Sequence, residues 1–410
     1  AQLLGFTHFA EYSLASKMAN TGEQVNGFLQ DLAKRSKPQA QKDIDTLTAY
    51  ANEHYQADEL QAWDFAYYSE KLKEQTYKIS DEQLRPFFPE NKVVKGLFEV
   101  VSRLYNLTIS VRDDIDTWHK NVRFYDIHDQ AGELRGSFYL DLYAREKKRG
   151  GAWMDECRVR RQKIDGSQQY PVAYLTCNFS GPIGDKSALF THDEVVTLFH
   201  EFGHGIHHML TKINVAGVSG INGVPWDAVE LPSQFLENWC WQPEALSFIS
   251  GHFETGEALP QTLLDNMLAA RNFQSAMQML RQLEFSLFDF SLHENFVAGQ
   301  TNVQHWLDKV REEVSVLIPP SFNRFQNSFG HIFAGGYAAG YYSYKWAEVL
   351  SSDAFSRFEE EGIFNQQTGQ DFLTNILEMG GSKEPMELFV AFRGREPEVD
   401  ALLRHSGISA

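Results

Sequence analysis

The sequence predicts a mainly α-helical fold with a small β-sheet placed directly before its most informative helix. Three observations lead there. Apolar residues recur at helical spacing in the first third and again after residue 190, the period drops to two between residues 138 and 179, and a run opening at Thr191 carries strong helix-start signals. A chain of 410 residues, 43% hydrophobic and 22% charged, buries roughly three quarters of its unfolded surface. It reads as globular, with no low-complexity tract and no internal repeat.

The elements follow in order. Val25, Phe28, Leu29 and Leu32 have the i, i+3, i+4, i+7 spacing of one buried stripe. Pro38 is expected to open a helix running toward Tyr55, because a proline's missing N–H is not needed in a first turn. Ser80 with Gln83 has the form of a capping box, and a further helix is expected over residues 91–106. In residues 138–145, Phe138, Leu140, Leu142 and Ala144 alternate with Tyr139, Asp141, Tyr143 and Arg145, the pattern of a half-buried strand. Cys157, Val159 and Arg161 alternate in the same way with Arg158 and Arg160. Asp165-Gly166 offers a turn, and residues 171–179 read as a third strand, ended by Gly181-Pro182. A long helix is expected over residues 263–290. Its Met267, Met277, Met279, Phe285, Phe288 and Phe290 are read as core packing rather than as a cofactor box. Pro319-Pro320 breaks the chain ahead of a Gly- and Tyr-rich segment, and the part after about residue 353 is helical with an interruption at Gly380-Gly381-Ser382.

Charge and cysteine usage exclude several function classes. Lys plus Arg is 37 and Asp plus Glu is 55, a net charge of −18. That balance argues against nucleic acid and anionic membranes as partners. Cys157, Cys177 and Cys240 are too few for a disulfide framework, and the absence of CxxC removes cysteine-ligand zinc ribbons and thioredoxin-type motifs. Low cysteine usage suits a cytoplasmic setting. The first ten residues lack a basic segment followed by an apolar run, so they are not read as a secretory signal. Between Arg324 and Lys345 lies an uncharged stretch long enough to span a bilayer, but Gln326, Asn327, His331 and four tyrosines would enter the hydrocarbon with it. A membrane reading is rejected.

The decisive residues are His200-Glu201-Phe202-Gly203-His204, an HExxH pattern. Four positions along an α-helix amount to about 40° of rotation and ~6 Å of rise. Both imidazoles then project from one face and can hold a single Zn²⁺ at ~2.0–2.1 Å. Glu201 flanks that position without ligating, where it can take a proton from water. Thr191 or Asp193 can cap the helix, and Asp193 and Glu194 favour its positive end. Given 14 histidines, such a pattern arises by chance about 0.03 times in a chain of this length. His207 and His208 extend the cluster, with His207 expected behind the ligands or at the surface.

A third ligand is required, with a fourth position left open. A histidine ten residues after the first, with a glycine at seven, is absent: those positions are Leu210 and His207. The alternative is a carboxylate from a following helix, and Asp227, Glu230 and Glu237 are the candidates. In thermolysin-type patterns an Asp four residues beyond the glutamate ligand orients a zinc histidine. Position 234 is Gln, so that arrangement is not read here.

Several longer motifs surround the pattern. They are Tyr139-Leu140-Asp141-Leu142-Tyr143-Ala144-Arg145 with Gly150-Gly151-Ala152-Trp153, Val229-Glu230-Leu231-Pro232-Ser233-Gln234 with Leu236-Glu237-Asn238-Trp239, and Phe329-Gly330-His331 with Ala334-Gly335-Gly336-Tyr337 and Tyr341-Tyr342-Ser343-Tyr344. In this order, and over essentially the whole chain, the sequence resembles the thimet oligopeptidase-like zinc peptidases. The resemblance implies a zincin-like helical metallopeptidase with a small β-sheet beside the HExxH helix. Residues 1–125 would form a helical scaffold and part of a channel wall, and residues 126–410 the zinc-binding catalytic region. It implies His200, His204 and Glu230 as ligands of one Zn²⁺, and Glu201 as general base and later acid. His331, Tyr337 and Tyr344 would act on substrate and transition state, with Gly335, Gly336 and Tyr341 contacting substrate. The Gly335-Gly336 and Gly340 spacing would let a loop close.

The reading that results is a zinc endopeptidase acting on short peptides, whose backbone is expected to pair with the sheet around residues 171–179. Family members are considerably longer at the N-terminus, so one wall of the family's channel is expected to be missing and an exposed apolar patch to promote association. Two alternatives stay open: a peptidyl-dipeptidase with the same zinc site, and a catalytically impaired peptide-binding fragment. The absence of HxE with PCxxC counts against a zinc deaminase.

Overall fold

The fold is taken from a computed structural model that describes residues 1–57, 59–184 and 186–408. After a short helix, Phe9–Leu14, comes the helix Gly22–Tyr55, 34 residues long, with the Thr21 side chain accepting from the Gln24 amide. Pro38 lies inside this helix instead of starting one. It forfeits the bond an N–H would make four residues back, but the buried stripe of Leu29, Leu32, Ala33, Ser36, Ala40 and Ile44 runs unbroken past it. Burial on both sides carries the helix through. Ser80 and Gln83 form the expected capping box, and the next long helix is Glu90–Tyr105.

The sheet is larger than the sequence suggested. Strands β1 (Thr108–Arg112), β2 (Arg123–His128), β3 (Leu134–Tyr143), β4 (Trp153–Arg158) and β7 (Val172–Phe179) form five strands in the order β1-β2-β3-β7-β4. Only β3 and β7 run parallel. Two short strands, β5 (Arg161–Gln162) and β6 (Gln168–Gln169), make a separate ribbon that turns at Asp165-Gly166, with Gly166 at φ +81°. β1 and β2 escaped the alternation test for opposite reasons. β1 is mostly exposed, whereas β2 is buried on both faces, its Asp126 neutralised by Arg112 at 2.7 Å and bonded by Ser137 at 2.6 Å. The alternation through Arg161 does not form one strand: β4 ends at Arg158, and pairing resumes in the ribbon.

The motif helix, His192–Met209, follows β7 and packs against it. Thr191 and Glu194 cap it reciprocally. Val195, Leu198, Phe199, Phe202 and Ile206 join Phe138, Leu175 and Leu97 in the main core. A second core gathers Val25, Leu29 and Leu32 with Leu280, Leu283, Leu287 and Phe290 and with Tyr341 and Tyr342 of the Gly/Tyr segment. The run 263–290 is not continuous. It splits into Gln261–Ala269 and Ser275–Asn295, with Gln274 at φ +56°. The split has a packing reason: Met267 serves the first core and Met279 and Leu280 the second. No helix among the described residues is long and apolar enough to cross a membrane.

A close approach sets the position of the next functional element. The short helix Leu231–Glu237 lies against the motif helix at Gly203. A Cβ at that position would stand 2.5 Å from the Pro232 carbonyl oxygen and 2.5 Å from the Ser233 Cα. Both are backbone, which cannot swing aside. Gly203→Ala is therefore expected to cost about 1–3 kcal/mol of stability. Urea unfolding followed by circular dichroism checks this, and a midpoint unchanged from the parent would contradict the close packing.

Candidate metal centre

Glu230 sits at the turn between the helices Trp226–Val229 and Leu231–Glu237, where Pro232 occupies the first turn of the second. The Gly203 contact brings this turn onto the motif helix. Glu230 Oε2 lies 3.3 Å from His200 Nε2 and 3.1 Å from His204 Nε2. One ligand atom from each of the three residues falls within 4.8 Å of the others. Ser233 Oγ, 3.0 Å from the same Oε2, steadies the carboxylate. Of the three carboxylates open at the sequence level, Glu230 alone joins the histidines. Asp227 turns away, accepting from the Met18 and Ala19 amides at 2.9 and 3.0 Å and from Tyr342 Oη at 2.8 Å.

Glu237 has a different task. Its Oε1 is 2.6 Å from His200 Nδ1, so it orients the imidazole from behind. This is the role that an Asp at 234 would have filled, moved three residues along the same helix.

Electrostatics bind the cluster tightly. Burial works to raise the Glu230 carboxyl, but His204 and His200 outweigh it and hold the group well below the usual carboxylate range. Burial works to lower His200, and Glu230 and Glu237 reverse it, holding the imidazole well above its ordinary value. Two imidazoles and one carboxylate on a closed face form a donor set that fits a small divalent cation with a vacant fourth position.

Glu201, 5% exposed, points beside the cluster. Burial raises its carboxyl above the usual range, against the pull of His200 and His204. Its Oε2 is buried without a hydrogen-bond partner. A carboxylate desolvated in this way is a stronger base than one in water.

The cluster opens into a cleft of about 360 Å³ lined by His200, Glu201, His204, Glu230, Tyr337 and Tyr344, and by Trp153 and Met154 of β4. Tyr337 and Tyr344 stack at 5.2 Å, and Trp226 meets Tyr337 edge-on at 4.6 Å. Burial pushes Tyr337 up to about 12 and Tyr344 higher still, so both phenols keep their protons at neutral pH and can donate. His331 is exposed, its ring 5.7 Å from Tyr337 and 6.5 Å from Tyr344. Tyr341 turns the other way, donating from Oη to Gln282 at 3.0 Å. Neither His331, Tyr341, Gly335 nor Gly336 lines the cleft, and Gly336, at φ +84°, takes the chain past Trp226.

The peptidase family M3 profile matches residues 1–408. The chain belongs to peptidase family M3. It is 65% identical over 409 residues to oligopeptidase A of Escherichia coli K12, covering 100% of this chain and 60% of that protein. It is 33% identical over 415 residues to the dipeptidyl carboxypeptidase of the same organism, again covering 100% of this chain and 60% of the other. Among solved structures, PZ peptidase A with inhibitor 2 shares the fold at a TM-score of 0.62 and 17% identity, over 99% of this chain and 61% of that one. The chain thus spans 60% of the length of the E. coli relatives.

The structure revises one expectation and narrows another. β7, expected to pair with peptide, has both edges filled, by β3 and β4; the open edge beside the cleft belongs to β4. His207 is not at the surface but 3% exposed, pushed down by burial to about 3, a neutral core histidine. His208 points its Nε2 at the Arg158 carbonyl at 2.9 Å. The orienting role of Glu237 was missed, although a spacing of seven from Glu230 puts both on one helix face. Glu237→Ala is expected to weaken Zn²⁺ binding about 10- to 100-fold, measured by competition with a chromophoric chelator. Unchanged affinity would remove Glu237 from the site.

Proposed function

We propose that this chain is a zinc-dependent peptidase acting on short peptides, with Glu201 as general base. One observation carries the reading: a buried carboxylate with one oxygen, Oε2, left without a hydrogen-bond partner stands beside a convergent His200–His204–Glu230 cluster, in a cleft bordered by the open edge of β4. The similarity to E. coli oligopeptidase A supports it. Zn²⁺ in this donor set supplies Lewis-acid polarisation of a carbonyl and makes water more acidic.

The remaining steps belong to the chain's own residues. An extended peptide adds to the edge of β4, so backbone bonds rather than side chains supply much of the grip and sequence tolerance is broad. Glu201 takes the proton of the attacking water and passes it to the departing amine. Tyr337 and Tyr344 donate to the oxyanion as charge develops there. His331, at the rim of the tyrosine cluster, and Gly335 and Gly336 on the same exposed loop reach substrate when the loop closes, and Tyr341, turned to Gln282, acts on substrate only through the position it gives that loop. No covalent acyl-enzyme is required, so no serine or cysteine nucleophile is needed. A cytoplasmic setting and association through exposed Leu3, Leu4 and Phe9 complete the reading.

The dipeptidyl carboxypeptidase relative supports a second reading, release of dipeptides from C-termini. Cleavage of C-terminally amidated peptides at the rate of free ones favours the endopeptidase. Stoichiometric zinc with no turnover of any peptide would instead make the chain a binding fragment.

Glu201→Gln is expected to keep Zn²⁺ and lose nearly all hydrolysis of a quenched fluorescent peptide; retained hydrolysis would remove the general-base assignment. Tyr344→Phe is expected to lower kcat by about 10²–10³ with little change in KM. A pure KM effect would mean that the hydroxyl only binds substrate.

A further inference from the structure

Asp289 is a buried acid in a core of aromatic and aliphatic side chains. It lies in the helix Ser275–Asn295 between Phe288 and Phe290 and is 0% exposed. A carboxylate in that position demands several donors, and it finds them on a different element. The Ala339 amide donates to Oδ1, and the Gly340 and Tyr341 amides to Oδ2, each at 2.9 Å. Three successive N–H groups converge on one carboxylate because Ala339 takes a left-handed turn, φ +48°, and so forms a backbone nest for an anion. His293 Nδ1, 2.9 Å from Oδ1, supplies a fourth contact.

The other side of the same segment is also held. Ser13 Oγ lies 3.2 and 3.1 Å from the carbonyls of Ala338 and Ala339, and Lys17 Nζ bonds Ser13 at 2.8 Å. Residues 338–341 are thus gripped through their amides and their carbonyls, while His331 and residues 333–336 on the upstream side are exposed. The gripped segment lies between the two tyrosines that enter the cleft, Tyr337 and Tyr344. An apolar side chain at 289 would fill the helix core without a charge to desolvate. What the carboxylate adds is a fixed place for the tyrosine-bearing loop.

We propose that Asp289 is a positioning residue for the reaction assigned above: by holding the amides of residues 339–341 it sets the phenols of Tyr337 and Tyr344 against the His200–His204–Glu230 cluster. The inference rests on the peptidase reading for its consequence in rate, though not for its geometry. Asparagine at 289 keeps one acceptor but turns an NH₂ toward backbone donors, so the loop must shift while the apolar packing stays.

The test is a double-mutant cycle on the zinc-loaded 410-residue chain. Asp289→Asn is expected to lower kcat about 10²-fold with KM and Zn²⁺ affinity close to those of the parent. In a Tyr337→Phe, Tyr344→Phe background the same substitution is expected to cost less than about threefold, because the groups it positions are gone. An equal loss in both backgrounds, or no loss in the parent, overturns the proposal. Should the Asn variant fail to fold, Asp289→Ser, which leaves room for a water acceptor, is carried through the same cycle. If the parent chain shows no turnover, the peptidase reading falls and the geometry is decided by amide exchange. Faster exchange confined to residues 339–341 in the variant supports the anchor, and unchanged exchange overturns it.

Discussion

The site depends on one packing constraint: the backbone of residues 232 and 233 lies directly on Gly203. Two helices can approach this closely only where one lacks a Cβ. That contact places Glu230, at the start of the shorter helix, within hydrogen-bonding distance of both motif histidines, and sets Glu237 behind His200. The cluster is therefore not a set of side chains that reach for each other across a flexible gap. It is fixed by main chain, and the side chains have little freedom left.

The electrostatics follow from that closeness. His204 and His200 hold the Glu230 carboxyl low against burial, and Glu230 and Glu237 hold the His200 imidazole high against burial. Glu201, with a buried oxygen left unpartnered, is driven the other way by burial. Two glutamates some thirty residues apart thus shift in opposite directions: Glu230 is hydrogen-bonded to both imidazoles, whereas at Glu201 burial outweighs their pull. The tyrosines complete the division of labour, as burial keeps their protons in place. Another buried carboxylate, Asp289, holds the loop between them through amide donors.

Much of this was legible in the sequence. The motif helix announced itself by a capping box, an apolar stripe and histidines four apart, and each is a local property. The choice among Asp227, Glu230 and Glu237 was not local. It depends on how the loop over residues 215–225 folds back, and spacing alone left it open. Glu237 was within reach, since seven residues from Glu230 return to the same face, but a fixed expectation of an Asp at 234 hid it. β2 was missed because both its faces are buried and alternation vanishes. The helix through Pro38 and the break near Gln274 were misread because burial, not local propensity, decided each. Asp289 gave no signal at all: an acid flanked by Phe288 and Phe290 shows its purpose only when the partner loop is in place.

The central claim is that two imidazoles and one carboxylate of this chain bind a single zinc ion. X-ray absorption at the zinc edge of the loaded protein tests it most directly. The account predicts one equivalent of zinc with only nitrogen and oxygen neighbours at about 2.0–2.1 Å and the multiple-scattering signature of two imidazoles. A sulfur shell at about 2.3 Å, or fewer than two imidazoles per zinc, would contradict it.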